Sequence, residues 1–184
     1  MTGKSYAIIG VDPGKMTGIF VFQHMHHDGG GYIPPRTDTL IEPYQVPVEE
    51  VGIWLWEKID WLEDIDQGPY PGDIHIAVEK YIITQRTARL SQQHDALEVT
   101  GAVKAVAAQS YSKPVVNQYL KANLKFASDD MLRTMGWFTP KMHHANDAAR
   151  QASALLKEVD YPLWCKLVKG GTLDTTTNEE MTGR

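Results

Sequence analysis

The chain has 184 residues, 42% hydrophobic and 22% charged, and its 18 basic and 23 acidic residues give a net charge of −5. This composition excludes a disordered protein, and the length predicts one domain that folds without a disulfide or a structural zinc. The single cysteine, Cys165, excludes an intrachain disulfide, and no apolar run approaches the roughly 18 residues of a membrane span, so we expect a cytoplasmic protein without a signal peptide.

The first third of the chain predicts three strands. The apolar run at 5–12 is typical of a buried central strand, and Pro13-Gly14 then breaks it with a turn. A second strand at 17–23 completes a hairpin. A loop rich in glycine and histidine is predicted over 24–35, before a third strand at 39–46.

The middle of the chain alternates between helices and strands. A helix is predicted over 47–65, with acidic residues in its first turn, and a strand over 74–78 that ends at Glu79. A long helix at 87–109 and a short strand at 113–118 follow. The order predicts an α/β fold with a leading meander.

The last third predicts helices and a tail. One or two short helices are expected within 119–136, with Ser128 as a helix cap, and a final helix from His144 or Ala145 to about Val159. We expect one domain over residues 1–163 and a polar, disordered tail over 164–184.

Four side chains suggest chemistry. Asp12 and Glu79 each follow an apolar strand, at the end where sites of α/β sheets gather. His144 and Asp147 are three residues apart at the start of the last helix, so they share a face. If folding brings the four together, three carboxylates cannot all stay ionised without a cation. Oxygen-rich ligand sets favour Mg²⁺ or Mn²⁺, and two such ions support phosphodiester hydrolysis.

Each of these residues also has an ordinary structural interpretation. Asp12 suits a turn before Pro-Gly, Glu79 suits a surface position at a strand end, and the His144–Asp147 pair suits a helix N-terminus. The metal-site hypothesis therefore depends on their order in the appropriate elements.

The charge is unevenly distributed. Residues 42–73 hold nine acids and one lysine, a net of −8, whereas residues 80–141 hold nine bases and four acids, a net of +5. Such runs are often solvated faces, but the basic half permits a polyanion as partner.

The ordered set resembles the RuvC family of Holliday junction resolvases, in the RNase H-like superfamily. The motifs that carry the resemblance are Ile9–Gly14 with Thr17-Gly18, Ala77–Glu79, the helix segment Leu97–Ala102, and His144–Ala149. The resemblance spans about residues 5–157 and implies an RNase H-like fold, with helices on both sides of a mixed central sheet.

The resemblance implies a Mg²⁺-dependent endonuclease, in which Mn²⁺ can substitute, that resolves branched DNA and leaves 5′-phosphate and 3′-hydroxyl ends. Asp12, Glu79, His144 and Asp147 would be the catalytic metal ligands, with His143 as an alternative to His144. Family members are homodimers that make paired nicks across a four-way junction.

For DNA binding, the basic segment points to Lys121 and Lys125, and then to Arg133. An aromatic wedge is expected three residues after the catalytic glutamate; here that position is Ile82, preceded by Tyr81. This departure, the acidic net charge and the added loop and tail suggest a divergent, phage-type member.

Other interpretations stay open. One is the histidine cluster next to Asp28, which suggests either a transition-metal site or an exposed loop (His24, His26, His27). Another is the group of three tryptophans in the acidic helix, which suggests either base stacking or core and dimer contacts (Trp54, Trp56, Trp61). Two alternative functions are an RNase H-like nuclease on structured RNA and a junction-binding module without catalysis.

Overall fold

The computed structural model describes residues 4–27, 36–64, 73–82 and 92–170. The strands are β1 (Tyr6–Asp12), β2 (Met16–His27), β3 (Arg36–Pro47), β4 (Asp73–Glu79) and β5 (Val115–Tyr119). The α-helices are α1 (Val51–Glu63), α2 (Gln92–Gln109), α3 (Asp129–Thr134), α4 (His143–Val159) and α5 (Tyr161–Val168). Short 3₁₀ turns lie at Val48–Glu50 and Lys121–Leu124.

The strands form one five-stranded sheet in the order β3-β2-β1-β4-β5. The first three strands pair antiparallel as a meander, whereas β4 pairs parallel with β1 and β5 pairs parallel with β4. The predicted α/β class and mixed central sheet are therefore confirmed. Because β1 and β4 are parallel neighbours, their carboxyl ends lie side by side.

Helices cover both faces of the sheet, which explains why every residue of β1 is buried. Ala7, Ile9 and Val11 belong to the hydrophobic cluster that contains α1 and α2. Tyr6 and Ile8 point the other way, into the cluster with α3, α4 and α5. The continuous apolar run at 5–12 is thus the signature of a strand that is covered on both sides.

Helix α1 is amphipathic: the apolar residues of one face are buried against the sheet, and the opposite face is exposed. Its buried residues are Val51, Leu55, Ile59 and Leu62. Trp54 packs against Tyr44, with ring centroids 4.8 Å apart, whereas Trp56 and Trp61 are exposed.

The second strand is longer than predicted. Its last residues, including His24 and His26, pair with β3, so the part of the predicted loop at 24–27 is wrong. The N–H of His26 also donates a hydrogen bond to Oγ of Ser5, just before β1 (2.9 Å), a contact that hydrophobic alternation does not reveal. Asp28 and the remainder of the loop lie outside the described residues.

The C-terminal region holds a helix that the sequence pattern does not predict. Asp160 caps α5 by accepting a hydrogen bond from the N–H of Leu163 (3.0 Å), and Leu167 is buried against the α4 side of the sheet. The expected tail is therefore wrong for residues 164–168, because apolar packing holds them in a helix. Residues 171–184 lie outside the described residues.

The predicted helix ends can be compared with the structure. Ser128 caps α3 as predicted, accepting a hydrogen bond from the N–H of Met131 (3.2 Å). Helix α4 begins at His143, one residue before the first of the two predicted starts, His144 and Ala145. In the part of the chain that the structure describes, no helix has the length and apolar character that a membrane span needs.

Candidate functional site

Two carboxylates meet at the carboxyl ends of the central parallel strands. The last register pair of β1 and β4 is Val11 with Val78, so Asp12 and Glu79 are the next residues on adjacent strands. Both side chains line the same two cavities, and the charge of Asp12 acts on the Glu79 carboxyl group. Asp12 is only 6% exposed, and Glu79 is half-buried. The predicted convergence of these two residues is therefore observed.

Two glycines let helix α4 reach this pair. Gly18 lies opposite Asp12 in the β1–β2 pairing, and a Cβ on Gly18 would overlap the backbone carbonyl of His144. A Cβ on Gly10 would overlap the carbonyl of Ala148 in the same way. The helix backbone therefore lies directly on the sheet, and its first turn is held beside Asp12.

His144 contacts Asp12 directly. Its Nδ1 lies 3.1 Å from Oδ2 of Asp12, a hydrogen bond in which the ring nitrogen donates when the carboxyl group is ionised. This contact orients the carboxylate and leaves Nε2 of the half-exposed ring available. His143, the alternative ligand, is exposed and lines neither of the two cavities around Asp12.

Asp147 lies in the same cluster but is paired with cations. Its Oδ2 accepts a hydrogen bond from Nζ of Lys121 at 3.1 Å, and its Oδ1 accepts one from Nη1 of Arg150. Arg150 also pairs with Asp129 through Nη2 and donates from Nε to the carbonyl of Ala127 (2.9 Å). This arginine ties the carboxylate to the start of α3.

Arg150 was missed by the sequence interpretation. A signal was present, since Arg150 stands three residues after Asp147 and residues at that spacing meet on a helix. Its other two partners lie more than 20 residues away in sequence, at separations of 23 and 21 residues. Only the tertiary structure reveals them.

Two cavities adjoin the cluster and share four residues, Asp12, Glu79, Lys121 and Asp147. One, of about 500 Å³, extends past Lys125, Ser128 and Arg150. The other, of about 550 Å³, extends past Lys15, Tyr81 and His144. Together they form an open groove, with the carboxylates at its middle and lysines on both sides.

The local electrostatics disfavour full ionisation of the carboxylates. Burial raises the pKa of Asp12, and nearby Asp147 adds to the rise, although the hydrogen bond from His144 opposes it. Burial and then the charge of Asp12 raise the pKa of Glu79 to about 7. Partial burial lowers the pKa of Lys121, but its hydrogen bond to Asp147 and the other carboxylates outweigh that effect, so this pKa is raised.

The fit of the cluster to a metal ion depends on how its donor groups are arranged. Among the residues that the structure describes, no group of three His, Cys, Asp or Glu side chains is arranged to hold one. Asp147 faces Lys121 and Arg150, which supply the positive charge beside it. The donor chemistry nevertheless suits a hard cation, because Asp12 and Glu79 present carboxylate oxygens to the same cavities and the pKa of each is raised without one.

The predicted DNA-binding residues occupy different places. Lys121, Lys125 and Tyr81 line the groove. Ile82 is 56% exposed and lines neither cavity. Arg133 pairs with Asp130 at 3.1 Å, with its guanidinium 4.0 Å from the ring of Phe138, and it also lies outside the groove lining.

Comparison with solved structures shows the fold. The chain is similar to the Thermus thermophilus RuvC structure with a TM-score of 0.55 and 19% sequence identity, over 83% of this chain and 96% of that chain. No family model and no curated protein matches the sequence. The arrangement of a mixed five-stranded sheet flanked by helices is thus a RuvC-like, RNase H-like fold.

Proposed function

We propose that the protein is a metal-dependent endonuclease that resolves Holliday junctions or other branched DNA by phosphodiester hydrolysis. The observation that carries the proposal is the hydrogen bond between His144 and Asp12 in a cavity that Glu79 and Asp147 also line. Three separate elements bring these groups together in an open groove. The RuvC-like fold supports a nuclease of this kind.

The proposed metal ligands are Asp12, Glu79, His144 and Asp147. Bound Mg²⁺ or Mn²⁺ would supply Lewis-acid stabilisation of the attacking and leaving oxygens of the phosphate. Asp147, whose Oδ2 now accepts a hydrogen bond from Lys121, would be the ligand supplied by helix α4 together with His144. Asp12 is buried and Glu79 is half-buried, so the fold holds both carboxylates at the floor of the groove.

The lysines give the groove its attraction for DNA. Lys121 lines the middle of the groove, where its ammonium group would bind a phosphate oxygen of the DNA. Lys125 lines one arm of the groove and Lys15 the other, so each arm offers a positive charge to the backbone of the bound strand. Arg150, which also pairs with Asp147, would hold that carboxylate at the groove.

We further propose that the active form is a homodimer. A two-fold enzyme matches the two-fold symmetry of a four-way junction, and two active sites make paired nicks possible. Sedimentation of the full chain with and without junction DNA tests this part, and a purely monomeric complex would contradict it.

The decisive experiment compares substrates under one salt and Mg²⁺ concentration. Labelled four-way junction, flap, duplex DNA and structured RNA are incubated with the wild type, Asp12→Asn and Asp147→Asn. We expect cleavage of branched DNA by the wild type alone, and none in chelator. Cutting of RNA in preference to DNA would indicate the alternative nuclease, and binding without metal-dependent cutting would indicate a non-catalytic module.

A further inference from the structure

An exposed group of aromatic rings lies beside one arm of the groove. Phe126 is 40% and Tyr161 is 56% exposed, and both contact the partly buried Trp164. The ring of Tyr161 stacks on that of Trp164 with centroids 5.8 Å apart, and Phe126 meets it edge-on at 6.1 Å. We call Phe126, Lys157, Tyr161 and Trp164 the aromatic surface.

The rings are held in place by the fold. Nε1 of Trp164 donates a hydrogen bond to Oγ of Ser153 on α4 (3.1 Å). Asp160 caps the helix that begins at Tyr161. Because the rings are already ordered, a ligand that stacks on them loses little conformational entropy on binding.

The aromatic surface is continuous with the candidate site. Phe126 stands between Lys125 and Ala127, which both line the groove beside Asp12 and Asp147. Ala127 is also the residue whose carbonyl accepts from Arg150. The aromatic surface therefore begins at the residue between two members of the groove lining, so a strand that runs on past Lys125 would reach it.

Positive charge accompanies the rings. Nζ of Lys157 lies 5.1 Å from the ring centre of Phe126 and 5.0 Å from that of Trp164. Lys125 adds a second exposed cation. Two acidic residues at the end of α4 accept hydrogen bonds within the protein, Glu158 from Tyr119 and Asp160 from Tyr6. Aromatic rings among cations suit a polyanion with flat, apolar groups.

The spacing matches a short length of DNA strand. Lys157 follows Asp147 by ten residues in α4, a rise of roughly 15 Å. A base-stacked strand covers that distance in about four nucleotides.

We infer that the aromatic surface stacks on unpaired nucleobases of the DNA strand, up to about four nucleotides from the phosphate at Asp12 and Asp147. This inference rests on the proposed function and adds to it a specific contact with bases. It assigns base contact to α5 and the turn before α3, away from Tyr81 and Ile82. Stacking of this kind tolerates any base sequence.

The test compares two single strands that share phosphates but differ in bases. Fluorescence anisotropy in chelator measures the binding of the full chain to labelled oligothymidine and to an abasic strand of the same length. We expect the wild type to bind oligothymidine at least about 5-fold tighter. Phe126→Ala and, independently, Tyr161→Ala should each reduce that preference and leave the affinity for the abasic strand unchanged.

Tyr111→Ala is the matched control. Tyr111 is 91% exposed and adjoins α1 and α2, on the opposite face of the sheet, so its loss should leave the preference intact. Equal affinity of the wild type for both strands would overturn the inference, as would equal losses on both strands in both ring variants. Self-association that disappears in Phe126→Ala would also overturn it, because a second copy would then occupy the surface.

The outcomes separate this inference from the proposed nuclease. If the protein cuts junctions but shows no preference for the strand with bases, the inference of aromatic stacking is wrong and the proposed nuclease function stands. If the protein binds neither the single strands nor the junction, both the inference and the proposed function are wrong.

Discussion

Nδ1 of His144 lies 3.1 Å from Oδ2 of Asp12, although the two residues are 132 positions apart in the sequence. The contact joins the first turn of the last long helix to the end of the central strand. It makes His144 the side chain that orients the most buried carboxylate of the site.

Replacement of His144 tests this orientation. We expect His144→Ala to lower junction cleavage by roughly 10–100-fold, the usual effect of losing a group that ligates or orients a metal ligand. His143→Ala is the matched control, since His143 is the exposed neighbour and should leave the rate unchanged. Single-turnover cleavage rates of the two variants and the wild type measure the effect. Equal losses in the two variants would contradict a specific role for His144.

Arg150 is expected to matter for both stability and activity. Arg150→Ala removes a donor to Asp147, Asp129 and the carbonyl of Ala127, and we expect a loss of about 1–3 kcal/mol in the free energy of unfolding. Cleavage should fall at the same time, because Asp147 is no longer fixed. Urea denaturation and cleavage rates of the same preparations give the two numbers.

Arg133→Ala is the control for Arg150. Its ion pair with Asp130 is exposed, and such pairs contribute about 0–1 kcal/mol. We therefore expect it to be near-neutral in the same denaturation experiment. A loss as large as that of Arg150→Ala would show that arginine removal near α3 is harmful in general.

Gly18→Ala should disturb the packing of α4 against the sheet. Its Cβ would overlap the backbone of His144, and forcing a methyl group into such a contact costs about 1–3 kcal/mol. Gly101→Ala offers the opposite case, since nothing lies within 4 Å of the added Cβ and alanine favours a helix interior. Thermal melting should therefore move down for the first variant and up for the second. Opposite shifts would contradict the described packing.

The pH dependence of stability should report Glu79. Burial and the Asp12 charge raise its pKa from 4.5 to about 7, so the folded chain holds this proton more tightly than the unfolded chain. The stabilisation of the folded state by protonated Glu79 is complete below about pH 4.5 and is lost as the pH rises through 7. We expect the metal-free wild type to lose stability between pH 5 and 8 more steeply than Glu79→Gln. Parallel urea-midpoint profiles for the two proteins would refute this assignment.

Added Mg²⁺ should reverse that loss. At pH 8 the ionised carboxylates are the form that binds a cation, and a ligand of the folded state alone raises its stability. Titration of Mg²⁺ against the urea midpoint measures the gain. Asp12→Asn should show little of it.

Much of the site was predictable because strand ends are visible in sequence. Asp12 and Glu79 each follow a buried apolar run, and parallel strands place such ends together. His144 and Asp147 were predictable as a pair from their spacing on one helix. Their distance from the strands was not, because it depends on the close approach of α4 at Gly10 and Gly18.

The missed features depend on tertiary contacts. Helix α5 is short and contains Pro162, so its local pattern is weak, and burial of Leu167 supports it. The extension of β2 to His27 depends on pairing with β3 rather than on alternation. The contacts of Arg150 likewise arise from how α3 lies against α4.

The position of α4 late in the chain has a consequence for synthesis on the ribosome. A growing polypeptide that stops before residue 143 contains Asp12 and Glu79 but lacks His144 and Asp147. The complete set of proposed ligands exists only after the last long helix has been translated and has docked on Gly10 and Gly18. In the proposed nuclease, a nascent chain that lacks α4 would therefore not cleave DNA.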